Sequence, residues 1–375
     1  MNNLNKLTSW EWKGLDEGFN IADGHAHQKQ DPAYLKIIDK LPELFRASER
    51  GNQKEIQKKF EHVFFGQAGQ NWYKNLQPPL YQTACSLSIE VVANYLRLTK
   101  KSVALLHPTF DNLADILKRH GIPMTPLDEK EILNPEKTLK NLQTDALFLV
   151  CPNNPTGTEI TKEQFQSLVQ FCKKHKKILI LDCSFRSYSH FTLWDQYEIL
   201  DKSAIDFIVL EDTGKTWPTL ELKIGIMLAS KSLYSHLADI TNDFLLNVSP
   251  FSFNLLTQYI TAEKNDTSFY GPRKIAAENR KQLEKILKNL PLTMENPASS
   301  LSVAWIKLPK KWRATKFCKW LGENNVHVLP GPPFFWNNPE KGESYIRIAL
   351  LRPKEAFKKA LSRLQFATIR YKEDE

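Results

Sequence analysis

The sequence predicts an α/β fold, with a large domain on a mostly parallel sheet and a smaller C-terminal domain that has its own α/β content. Three observations carry this. The chain has 375 residues, and a single core stops growing near roughly 250–300, so two domains sharing a cleft are expected. Between residues 83 and 230, short apolar runs alternate with amphipathic segments, the pattern of βα units. A long charged helical pattern from Arg273 to Leu290 then leads into a second, shorter set of strands and helices.

In order, Ile89, Val92, Ala93 and Leu96 mark one helix face, Val103 to Leu106 read as a strand, and Phe110 to His120 form a helix closed by Gly121. Ala146 to Cys151 are a buried strand opening onto the turn Pro152-Asn153-Asn154-Pro155-Thr156-Gly157, whose residues cannot continue a sheet. Thr161 and Gln164 form a capping box, and Phe165, Leu168, Val169 and Cys172 follow at helical spacing. Strands return at Ile178 to Leu181 ending at Asp182, at Phe207 to Leu210 ending before Glu211, and at Ile224 to Ala229. In the C-terminal part, strands are expected over Ser302 to Leu308, Val326 to Leu329 and Tyr345 to Leu350. Helices are expected over Arg313 to Glu323 and Pro353 to Leu364, with Pro353 in the first turn. No internal repeat or low-complexity tract is present.

Hydrophobic residues at 42% and charged residues at 25% exclude disordered and fibrous classes. The net charge of +9 is scattered, and its densest cluster, Lys173 to Lys177, ends an amphipathic segment; this reads as a solvated helix terminus, so no nucleic-acid partner is expected. Five cysteines without a C-x-x-C pair indicate neither disulfides nor a zinc site. With no apolar signal core after Met1 to Lys6 and no run near the roughly 18 apolar residues a membrane helix needs, a cytoplasmic protein without membrane contact is expected.

Ligands of open α/β sheets bind beyond the carboxyl ends of the strands, where Asn154, Asp182 and Lys215 all fall. Singly, Asp182 could equally cap a turn and Lys215 could be a surface lysine. Their combination in this order resembles the fold-type I pyridoxal 5'-phosphate (PLP) enzymes, in particular class I/II aminotransferases of the histidinol-phosphate aminotransferase-like kind. The resemblance runs from about residue 80 to the C-terminus.

It implies a PLP-dependent transferase with a seven-stranded large-domain sheet. The expected division is an N-terminal arm or part of the small domain at 1–45, a PLP-binding domain at 46–265 and a small domain at 266–375. By the resemblance, Asn154 bonds the cofactor's phenolic oxygen, Asp182 pairs with its ring nitrogen, and Lys215 forms the Schiff base. Physically, a carboxylate beside the ring nitrogen keeps it protonated, and a displaced lysine can carry the substrate α-proton. Cys85, Ser86 and the backbone of Leu87 occupy the phosphate position at a helix start, although a serine there is usually only a cap. Lys223 stands where the family has a phosphate-binding arginine, with charge but no fork. Phe110 matches the aromatic that stacks on the ring, with core packing as the alternative. Arg347 matches the clamp on the substrate α-carboxylate. Gly24 corresponds to the segment covering substrate; beside it, His25 and His27 could touch substrate or sit in a loop, the loop being preferred.

Two departures stand out. The residue three after Asp182 is Phe185 where the family has a tyrosine, with Arg186 and Tyr188 as potential substitutes, and Glu211-Asp212-Thr213-Gly214 replaces a hydroxyl-rich run before Lys215. Asp212 there would repel phosphate unless turned away or paired with Lys223. The leading expectation is transamination between an L-amino acid and a 2-oxo acid in a homodimer. A decarboxylase, cyclase or oxidase using PLP is the alternative, and a degenerate binding protein a distant third. Phe64-Phe65-Gly66 and Trp72-Tyr73 are candidate subunit contacts, with core packing an equal alternative.

Overall fold

The computed structural model describes residues 6–16, 18–30, 32–189, 194–265 and 271–371, so most of the Met1 to Lys6 run lies outside the described residues. Its strands are β1 (Phe19–Asn20), β2 (Leu80–Gln82), β3 (Val103–His107), β4 (Met124–Asp128), β5 (Ala146–Val150), β6 (Ile178–Asp182), β7 (Phe207–Asp212), β8 (Gly225–Ala229), β9 (Thr293–Met294), β10 (Val303–Lys307), β11 (Val326–His327), β12 (Leu329–Pro330) and β13 (Tyr345–Ala349).

A seven-stranded sheet with order β2-β8-β7-β6-β5-β3-β4 forms the large domain. Only β8 runs against its neighbours. The residues of β5, β6 and β7 are all buried, which is why these strands read as continuous apolar runs. Edge strand β4 escapes a periodicity search because Leu127 alone of its five residues is buried and Pro126 interrupts it. Contrary to expectation, β7 continues through Glu211 and Asp212. A buried acid can stay in a strand when it is compensated: Glu211 accepts hydrogen bonds from Arg186 Nε at 2.7 Å and from the Tyr197 hydroxyl at 2.5 Å.

The small domain is the antiparallel sheet β12-β13-β10-β9 with the helices Pro272–Leu287, Ala314–Glu323 and Lys354–Arg370. The single strand expected over Val326 to Leu329 splits: β11 pairs with β1, and β12 pairs with β13. The last helix outruns its expected end at Leu364, because Ala367 and Thr368 are buried and the Ala367 carbonyl accepts the Trp320 indole N–H at 3.0 Å; Pro353 is its cap, not part of its first turn. The capping box of Thr161 and Gln164 is present as expected. Lys177, by contrast, is not solvated: it is buried, and its ammonium group donates to the Leu142 and Thr144 carbonyls.

Before β2 the chain is mostly helical. The N-terminal helix Leu7–Asp16 places Leu7 and Trp10 in the small-domain core, with Ile21 and Ala22, while Tyr34 and Ile37 belong to the large core. The chain between Ala22 and Tyr34 therefore crosses from one core to the other. Phe64, Phe65 and Tyr73 are buried and stack on one another within this chain, with Phe65 against Tyr197, so they are core and not a free surface. Trp72 is tied down too, its indole donating to Asp201 at 2.9 Å. Among the described residues no helix is long and apolar enough to cross a membrane.

Candidate active site

A cavity of about 250 Å³ opens at the carboxyl ends of β5, β6 and β7, between the two cores. Gly24, Cys85, Ser86, Phe110, Asn154, Asp182, Phe185, Lys215, Lys223 and Arg347 all line it. Leu87 does not: its side chain is exposed, and its amide donates to the Ala84 carbonyl at 3.1 Å. The wall also includes Thr8 and Glu11 of the N-terminal helix, Asn112, Ser184 and Asp212.

Asp182 sits where β6 ends. Its Oδ1 accepts the Ser184 amide at 2.9 Å and the Ser184 hydroxyl at 2.6 Å, which fixes the carboxyl. Burial pushes its pKa up, against the Ser184 bonds, so a cationic partner in the cavity would lower the cost of its charge. A protonated ring nitrogen is such a partner, and the site in this respect fits PLP.

The phosphate end is a helix start that its own cap residue leaves free and a neighbouring carboxylate takes up. Ala84, the cap of helix Cys85–Leu98, provides no side-chain bond, and β8 lies so close that a Cβ on Gly225 would stand 2.7 Å from the Cys85 nitrogen. Asp212 is neither turned away nor paired with Lys223: its carboxylate accepts the Cys85 amide at 3.2 Å and the Gly214 amide at 2.6 Å. It thus takes the position at the helix N-terminus that an anion would occupy. Lys223 bonds Glu221 and lies 3.1 Å from His25 Nε2. The Cys85 thiol stays protonated, raised by burial and by the carboxylates of Asp182 and Asp212.

Lys215 follows β7, and its Nζ lies 3.0 Å from His25 Nε2. His25 Nδ1 lies 2.6 Å from Asp23 Oδ1, and His27 meets the other Asp23 oxygen. The carboxylate must accept at Nδ1, which leaves the Nε2 lone pair of a neutral ring facing both lysines. Burial opposes the Asp23 charge, but bonds from His25 and His27 and the nearby Lys215 outweigh it and hold the acid well below the usual carboxylate range. The preferred loop assignment of His25 is therefore incomplete: it is a loop residue that reaches the site lysine. The spacing Asp23-x-His25-x-His27 was the only signal for this group.

Arg347 is centred on β13, opposite Trp305 of β10 and Leu329 of β12, and is 1% exposed. It donates to Asn154 Oδ1 at 3.0 Å, to the Ala22 carbonyl at 2.7 Å and to Glu11 at 3.5 Å, while its Nε has no partner among the described residues. Its guanidinium also lies 5.7 Å from the Phe110 ring and 5.5 Å from the Phe334 ring. A Cβ on Gly24 would lie 3.4 Å from Nη2, so this residue sets how closely the chain passes the arginine. Neither Arg186 nor Tyr188 replaces the missing hydroxyl at Phe185. Arg186 pairs with Glu211, Tyr188 donates to the Lys215 carbonyl at 3.0 Å, and neither lines the cavity.

The N-terminal helix is held over the cavity from the large domain. Asp111 Oδ2 accepts the Leu7 amide at 2.8 Å, and Lys6 pairs with Asp115 at 3.2 Å. Burial pushes the Asp111 carboxyl up to about 6, against the Leu7 bond and helped by Asp115 and Glu11. A folded value above the unfolded 3.8 means that the native state binds more protons in between, so this group's contribution to stability falls as pH rises from 3.8 to about 6. Above that window the buried charge costs about 3 kcal/mol. Asp111→Asn is expected to be more stable than wild type in urea unfolding at pH 7, with the difference shrinking at pH 4.5; a difference that does not change with pH would refute the assignment.

A family model described as aminotransferase class I and II matches residues 31–364. Among curated relatives, LL-diaminopimelate aminotransferase of Maridesulfovibrio salexigens is 28% identical over 222 residues, 58% of this chain and 55% of that enzyme. Histidinol-phosphate aminotransferase of Methanococcus maripaludis is 25% identical over 253 residues, 64% of each chain. The chain thus aligns with little more than half to two thirds of their length. A solved structure of MppP soaked with the product 2-ketoarginine superposes with a TM-score of 0.87 at 31% identity, covering 93% of this chain and 99% of that one. On this sequence match, the seven-stranded sheet and a cavity built at its strand ends, the chain belongs to the class I and II aminotransferases, a fold-type I family that depends on PLP.

Proposed function

We propose that this protein carries PLP on Lys215 and removes the α-amino group of an L-amino acid with a cationic side chain, passing it to a 2-oxo acid. The observation that carries the reading is the convergence of Lys215, Asp182, Asn154 and Arg347 on one cavity. The cationic substrate class is supported by Glu11 in the same wall and by the similarity to MppP, whose solved structure was soaked with the product 2-ketoarginine.

PLP, when bound, acts as the electron sink for charge that develops at the substrate α-carbon. Asp182 would hold its ring nitrogen, and Ser86 with the Cys85 amide its phosphate, which requires Asp212 to release that amide. Arg347, with its unpartnered Nε, would bind the α-carboxylate. Lys215, once displaced, would carry the α-proton, with His25 receiving or returning a proton at Nε2 while Asp23 holds the ring. As family resemblance implies, the working unit is proposed to be a homodimer.

A specific observation favours a second reading. Phe185 offers the cofactor's phenolic oxygen no hydroxyl, and neither Arg186 nor Tyr188 replaces it, which suits decarboxylation, cyclisation or oxidation of the same amino acid. A panel of L-arginine, L-ornithine, L-lysine and L-aspartate, with and without 2-oxoglutarate, separates the readings by product mass spectrometry. The expected result is 2-oxo acid formed with an equal amount of glutamate, fastest for a cationic substrate. Product formed at full rate without 2-oxoglutarate would select the second reading, and turnover confined to L-aspartate would remove the cationic substrate class.

A further inference from the structure

A second cavity, of about 230 Å³, lies away from the active site, between helix Pro272–Leu287 and the chain around Ser299. Arg273, Arg280 and Lys281 face it with one carboxylate, Glu284. Three cations against one anion leave a surplus of two positive charges. Arg280 is the decisive member: it is 6% exposed, and its Nη2 donates to the Leu301 and Val303 carbonyls at 2.8 and 2.7 Å. Among the described residues it has no carboxylate within ion-pair distance, and neither do Arg273 and Lys281. Arg280 Nη1 meets the Met294 sulfur at 3.4 Å and the Asn296 carbonyl at 3.5 Å, so only neutral groups hold the buried cation, which gains from an anion because the desolvation cost is already incurred. Ser299 and Ser300 lie on the same wall; the Ser300 hydroxyl donates to the Tyr188 carbonyl, while the Ser299 hydroxyl accepts the Leu301 amide and keeps its own proton to donate.

We propose that this cavity binds a phosphate group, whether inorganic phosphate or a phosphate monoester. A dianion matches the surplus charge, and guanidinium groups with the Ser299 hydroxyl match its oxygens. The pocket adjoins the active-site scaffold. Tyr188, in its wall, donates to the Lys215 carbonyl, and Ser299 packs so tightly on the Asn154 turn that a Cβ on Gly157 would stand 2.4 Å from its hydroxyl.

The test uses full-length holoprotein, so that the cofactor fills its own phosphate position. Isothermal titration with inorganic phosphate and with glycerol 3-phosphate, in a buffer free of other oxyanions, should show one saturable site per chain. Tighter binding of glycerol 3-phosphate would mark a monoester site, and equal binding a free-phosphate site. Arg273→Glu with Lys281→Glu reverses two exposed charges, leaves buried Arg280 in place and should weaken binding by about 10-fold or more. Lys281→Met alone should weaken it less, and this milder variant keeps the test open if the double one misfolds. Absence of saturable binding of both probes, or equal binding to wild type and a folded variant, would overturn the proposal.

Discussion

Lys215→Ala is expected to lose turnover by about 10⁴-fold or more, since one change removes both the proposed covalent attachment and a proton carrier, and general acid–base catalysis alone is worth roughly 10²–10⁴-fold. The nearest alternative amine, Lys223, is tied to Glu221 and His25 and should not substitute. Borohydride reduction of the holoprotein followed by peptide mapping should place a phosphopyridoxyl group on the peptide containing Lys215 in wild type and nowhere in the variant. Folding should be little affected, because among the described residues the Lys215 side chain hydrogen-bonds His25 alone. An adduct on Lys223, or turnover within tenfold of wild type, would displace Lys215 from the proposed role.

Asp182→Asn should act in opposite directions on the apoprotein and the enzyme. Without a cationic partner the carboxyl is buried and its pKa is raised, so a neutral amide of the same shape should leave the apoprotein at least as stable. With cofactor bound, the variant loses the counter-charge of the ring nitrogen. Breaking a buried pair costs about 3–5 kcal/mol, so turnover should fall by about 10³-fold and cofactor should dissociate more readily. Thermal unfolding of apoprotein and titration of PLP by absorbance check the two halves separately. A destabilised apoprotein with unchanged cofactor affinity would mean that Asp182 only caps the turn at Ser184.

Much of this site is legible in the sequence because parallel strands write their burial as continuous apolar runs. The residue that ends such a run then lies at the ligand-binding edge. Asn154, Asp182 and Lys215 are found in this way, and each lines the cavity. Arg347 is legible for a related reason, as a charge inside a buried strand that needs a partner. The N-terminal helix gives no such sign. Thr8 and Glu11 sit in an ordinary amphipathic segment, and only its packing on the small-domain core brings them over the cavity of Lys215.

By itself the sequence determined the α/β class, the family and the order of the site residues, because strand burial and local turn chemistry are properties of neighbours in the chain. Only the tertiary structure decided that His25, held by Asp23, meets Lys215, that Asp212 takes the helix-start amide at Cys85, and that Asp111 ties down the N-terminal helix. Those contacts join residues as much as 190 positions apart. They depend on two cores closing around one cleft, and no local pattern encodes which charge ends up facing which.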